Sequence, residues 1–132
     1  VGGLSFRHWD GVSWSLVTAA NITDVRAIWG SSATDIWVGG TGGALRHLTG
    51  GSWVSSTLGT ADFSGIWGTA ANDVYATNRS GEIYHYNGTS WVKYSGLTNT
   101  VITALWGSGR QDVWAVGTDA GFTTNVVVHG TR

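Results

Sequence analysis

The stretch FSGIWGTAANDVYATNRSGEIYHYNGTSWVKYSG, residues 63–96, decides the fold because the chain contains it more than once. Upstream, residues 25–58 read VRAIWGSSATDIWVGGTGGALRHLTGGSWVSSTL, and downstream, residues 102–117 read ITALWGSGRQDVWAVG. Trp14, Trp53 and Trp91 recur at intervals of about 39 residues, and Trp29, Trp67 and Trp106 recur at the same interval. Asp35, Asp73 and Asp112 each follow the second Trp series at one fixed offset, and His8, His47 and His85 each precede the first series at another. Independent series sharing one period are the mark of a tandem repeat.

Each unit holds four short segments rich in β-branched and aromatic residues, separated by Gly, Asn, Asp or Ser clusters, which is the signature of strands joined by hairpins. In residues 63–96 these are strand a, Ser64–Trp67; b, Asp73–Thr77; c, Glu82–Tyr86; and d, Ser90–Tyr94. Asp10-Gly11, Gly50-Gly51 and Asn87-Gly88 fall between c and d, where a tight hairpin needs positive φ. Four antiparallel strands in roughly 39 residues, repeated in tandem, predict an all-β fold built from the blades of a β-propeller. Complete blades are expected at 26–63 and 64–102. A partial blade of c and d (Leu4–Trp9, Ser13–Thr18) occupies 1–25, and a partial blade of a, b and c, ending at Val126–His129, occupies 103–132. The segment from Asp112 to His129 is longer than its counterparts from Asp35 to His47 and from Asp73 to His85, which predicts an inserted b–c loop at 118–125.

Thirteen strands make a little over three blades, fewer than the four with which propellers usually close. The chain is therefore expected to be completed either by a second copy, as a homodimer ring of six or seven blades, or by other parts of a longer protein. Val1 begins inside a repeat, so a processed, excised or designed product is expected.

Composition narrows the function. Only 11% of residues are charged and the net charge is −1, against about 25% charged in a typical soluble domain, so a footprint for nucleic acid is lacking. No apolar run approaches the roughly 20 residues that span a bilayer as a helix, so no membrane insertion is expected. The absence of Cys removes disulfides, thiolate metal sites and Cys nucleophiles. Three of the eight acidic residues are the repeated Asp, Asp24 and Asp62 match each other before strand a, and Asp10, Glu82 and Asp119 form no spaced pair for acid–base work. No G-x-S-x-G, phosphate loop or Ca²⁺ loop occurs. The expectation is a protein that is not an enzyme and uses no cofactor.

The stretches WGSSATDIWVGG, WGSGRQDVWAVG and GEIYHYNGTSW resemble the repeats of bacterial exported propellers and of tectonin-type lectins. The resemblance covers essentially the whole chain. It implies a propeller fold, an extracellular or cell-surface location, and glycans or glycoconjugates as partners.

His8, His47, His85 and His129 recur in different blades, too far apart around a ring to share one metal ion, so no metal site is expected. Each lies on an apolar strand face and needs a buried partner, and Asp35, Asp73 and Asp112 are the candidates for a structural pairing. Trp29, Trp67 and Trp106, with the strand-b aromatics Trp37, Tyr75 and Trp114, are expected to pack between blades, each buried indole contributing on the order of 5 kcal/mol at most. Residues that break the repeat are the better candidates for ligand contact. Trp9, Arg46, Glu82, Tyr84, Tyr86 and Asp119 are therefore the expected binding residues of a lectin with repeated shallow sites between blades, aromatic rings supplying flat apolar platforms and polar groups orienting hydroxyls. The alternative is a protein–protein interaction scaffold.

Overall fold

The computed structural model describes residues 6–17, 22 and 24–131. Among the described residues thirteen strands form four antiparallel sheets, and within each sheet the strands pair in sequence order. The first sheet is a hairpin of β1 (Phe6–Trp9) and β2 (Trp14–Val17). The second holds β3 (Ala27–Ser32), β4 (Asp35–Gly39), β5 (Ala44–Thr49) and β6 (Ser52–Thr57), and the third β7 (Phe63–Ala70), β8 (Asp73–Asn78), β9 (Glu82–Tyr86) and β10 (Trp91–Gly96). The fourth has three strands, β11 (Thr100–Gly109), β12 (Asp112–Asp119) and β13 (Asn125–Gly130). This is the expected succession of half blade, blade, blade and three-quarter blade.

Strand c of the third sheet spans Glu82–Tyr86 as its alternation implies. The first strands of the third and fourth sheets begin at Phe63 and Thr100, upstream of the limits drawn from the Trp spacing, because register shifts between Phe63 and Gly65 and between Ile102 and Ala104 let each strand continue past a bulge. Of the two strands expected at 1–25, Leu4, Ser5 and Thr18 lie outside the described residues.

The a strands stand side by side, β3 beside β7 and β7 beside β11, so the sheets follow one another around a common centre. The core lies between the second and third sheets, where Trp37, Leu45, Phe63, Ile66, Val74 and Ala76 are buried. A directional contact links successive sheets. The Trp29 ring lies against Gly68, where a Cβ would come within 2.9 Å of it, and Trp67 lies against Gly107 in the same way, at 2.6 Å. Glycine is required at both places because the indole occupies the space of a side chain.

Packing between blades therefore holds for Trp29 and Trp67 but not for Trp106, which is 61% exposed. Among the described residues no sheet follows the fourth to receive it. The strand-b aromatics show the same gradient: Trp37 and Tyr75 are buried, while Trp114 is 38% exposed.

Candidate functional site

Cross-strand register brings each repeated His opposite the strand-b aromatic, pairing Trp37 with His47, Tyr75 with His85 and Trp114 with His129. Two of the pairs stack, with centroids 3.7 Å apart for Trp37 and His47 and 4.0 Å apart for Trp114 and His129, while Tyr75 and His85 are tilted at 4.7 Å. In all three Nε2 meets the Asp that opens strand b, 2.6 Å away for His47 and Asp35 and 2.8 Å for His85 with Asp73 and for His129 with Asp112. A hydroxyl near the end of the preceding strand, from Ser31, Thr69 or Ser108, donates to the same carboxylate. Asp73 is completely buried and also accepts from Arg110 Nε of the fourth sheet at 3.2 Å. These groups satisfy one another inside each sheet, and among the described residues the histidines do not gather around a common point. His8 is exposed and has no Asp beside its ring among the described residues, since the hairpin has no strand b.

The six expected ligand residues are not brought to one place. Trp9 is exposed on the hairpin beside Trp14, ring centroids 5.6 Å apart. The Arg46 guanidinium, on the second sheet, donates to the Leu45 carbonyl at 2.9 Å. Tyr86 packs into an inter-sheet cluster, edge-on to Trp37 at 5.0 Å, and its hydroxyl donates to the Gly88 carbonyl at 3.0 Å. Asp119 organises the inserted loop, accepting from the Thr123 and Thr124 amides at 2.7 and 2.8 Å. The Thr124 amide first, then the Thr123 hydroxyl and amide, hold its carboxyl below the ordinary range. The loop presents Phe122, at φ 56° and 67% exposed.

Glu82 and Tyr84 do meet. Tyr84 must be withdrawn as a ligand contact, because it is 6% exposed and its hydroxyl is already donated to Glu82 Oε2 at 2.8 Å. The same oxygen accepts from Asn78 Nδ2 at 2.6 Å, and Oε1 from Lys93 Nζ at 2.6 Å. Lys93 stands opposite Tyr84 across the β9–β10 pair, which places it within reach. These bonds, that of Lys93 first, hold the Glu82 carboxyl down at about 2, and burial, aided by Glu82, pushes the Tyr84 hydroxyl up to about 12. Gly59 of the preceding connection lies over the cluster at φ +69°, where a Cβ would be 2.8 Å from both Glu82 Oε2 and the Tyr84 hydroxyl. The Lys93 side chain is 48% exposed and that of Glu82 21%, so their pair lies partly open to solvent.

Asn78 and Lys93 escaped the sequence reading, although Thr77-Asn78, in place of Gly39-Gly40 one repeat earlier and Val116-Gly117 one repeat later, was a visible signal. One repeat earlier the four positions hold Gly40, Ala44, Arg46 and Ser55. The polar cluster is thus peculiar to the third sheet, and the expected repetition of equivalent sites between blades does not extend to it.

Compared with protein families and with curated proteins, the chain matches none. Among solved structures it is similar to YCF48 from Cyanidioschyzon merolae, with a TM-score of 0.72 and 18% identity. The match covers 97% of this chain and 45% of that chain, so this chain spans less than half the length of its structural relative. At this identity the likeness speaks for the fold alone: an all-β chain of four-stranded antiparallel blades with the repeat architecture of a β-propeller, a fold suited in general to binding or scaffolding.

Proposed function

We propose that this chain is a non-catalytic carbohydrate-binding module whose contact point is the rim where Glu82 and Lys93 meet. The observation that supports it is the Asn78–Glu82–Tyr84–Lys93 cluster, the place where the third sheet departs from its sisters with a coherent set of polar groups. Asn78 and Tyr84 fix the carboxylate from beneath, so its outer oxygen is a pre-oriented acceptor beside the half-exposed Lys93 ammonium. Neighbouring sugar hydroxyls, each both donor and acceptor, can address such a pair together. Glycan-array screening followed by calorimetry tests this: Glu82→Gln and Lys93→Ala should each weaken sugar binding at least tenfold while the protein stays folded. Failure to bind any glycan, or unchanged affinity in both variants, sinks the reading.

A protein-interaction scaffold is the second reading, favoured by Phe122. An exposed aromatic held outward on a hydrogen-bonded loop is the kind of anchor that a partner surface receives. A protein partner whose binding is lost in Phe122→Ala and kept in Glu82→Gln would favour it over the sugar reading.

A further inference from the structure

Two clefts flank the row of sheets. One, of about 200 Å³, lies between the third and fourth sheets and is walled by Tyr75, Tyr94, Leu105, Val113 and Gly130. The other, of about 240 Å³, lies between the hairpin and the second sheet and is walled by His8, Ile28, Ile36, Leu48 and Trp53. The repeat identifies what each lacks. Between the second and third sheets the same place is filled by Trp37 of the earlier sheet, edge-on to Tyr86 at 5.0 Å and to Trp91 at 5.1 Å of the later one. One repeat onward, Trp37 becomes Tyr75, Tyr86 becomes Gly130, and among the described residues Trp91 has no counterpart, the fourth sheet holding three strands. One repeat back, Tyr86 and Trp91 become Leu48 and Trp53, and among the described residues Trp37 has no counterpart, the first sheet being a hairpin of two strands.

The chain carries both missing parts, at its opposite ends. Trp9 and Trp14 occupy the Tyr86 and Trp91 positions of the hairpin, and Trp114 occupies the Trp37 position of β12. All three rings are exposed. The hairpin packs beside the second sheet and the fourth sheet beside the third, so within one chain these rings belong to the wrong ends of the row to fill the clefts.

We propose that a second copy of this chain fills both clefts by reciprocal strand exchange. The β1–β2 hairpin of each copy pairs with β12 of the other, in the place held by β13, giving a joint sheet in the order β11, β12, β1, β2. β1 is the same repeat position as β13, since His8 and His129 are equivalent, so His8 takes up Asp112 where His129 stood. It also brings Trp9 where β13 offers only Gly130, and a tight turn already ties it to β2. Trp9 and Trp14 then enter the first cleft and Trp114 meets the partner's Trp53. Trp106 reaches the partner's Gly30, the glycine of its series that no Trp covers in the single chain. Three four-stranded sheets per copy make a closed ring of six, which covers the sheet faces left open at both ends of the row.

Sedimentation of the chain over a wide concentration range tests the closure. The expected result is a discrete dimer of two 13.9 kDa chains, with acrylamide quenching of Trp emission falling as the dimer forms. A folded monomer at every concentration, or open-ended polymers, overturns it. Trp14→Ala and Trp106→Ala should each weaken dimerisation by about 30-fold or more with an unchanged far-ultraviolet spectrum, and unaltered dimerisation in both overturns the assignment. His8→Leu should weaken the dimer and His129→Leu should not. The reverse pattern would mean that β13 keeps its place and would overturn the exchange.

Discussion

Trp67 and Gly107 approach so closely that a Cβ on the glycine would lie 2.6 Å from the indole and 2.7 Å from the Asp112 carbonyl oxygen. The ring has some room to shift but the backbone oxygen has little. Gly107→Ala should therefore destabilise the fold by about 1–3 kcal/mol, the usual cost of overpacking, measured by urea unfolding. Gly109, where an added Cβ meets nothing within 4 Å, is the control. Gly109→Ala should stay within about 0.5 kcal/mol of the parent.

Removing the His85 ring takes one hydrogen-bond partner from a fully buried Asp73 while Thr69 and Arg110 remain. His85→Leu should lower stability by about 1–3 kcal/mol and leave ligand affinity unchanged. A variant that kept its melting temperature and lost binding would mean that the repeated His is a contact residue.

The third sheet should respond to pH from both sides. Glu82 is held at about 2, below its ordinary 4.5, chiefly by Lys93 and then by Asn78 and Tyr84. Its contribution to stability is complete above about 4.5 and is lost as the pH falls toward 2. Tyr84 is raised from 10.0 to about 12, by burial first and Glu82 second, so its contribution is complete below 10 and lost as the pH rises toward 12. Melting temperature against pH should fall less steeply on the acid limb in Glu82→Gln and on the alkaline limb in Tyr84→Phe. Limbs parallel to those of the parent would contradict these shifts.

Asp119 acts on its own loop. Asp119→Ala frees the Thr123 and Thr124 amides, which should exchange with deuterium at least tenfold faster, while exchange in β7–β10 stays as in the parent.

The sequence disclosed the fold through residues that recur and obscured the site through residues that do not. Strand c at Glu82–Tyr86 and the pairing of His47, His85 and His129 with Asp35, Asp73 and Asp112 were legible because alternation and a fixed period specify them. Burial was legible only in part. Periodicity says that Trp29 and Trp106 do the same work, but whether a Trp is covered depends on a sheet following it, which one repeat cannot report. Tyr84 illustrates the other limit. Departure from the repeat marked it out, yet the departure serves an internal contact to Glu82, and Asn78 and Lys93 complete that contact through turn geometry and cross-strand register rather than through any sequence motif.

The Trp-to-Gly contact runs one way, from each sheet to its successor in chain order. Head-to-tail joints of this kind are indifferent to how many units precede or follow them. A gene encoding them can gain or lose a whole repeat by duplication or deletion without requiring a contact of a new type. Under the proposed closure, the unit count is then set by the curvature of the combined row, which has to bring Trp106 of each copy to the uncovered Gly30 of the other.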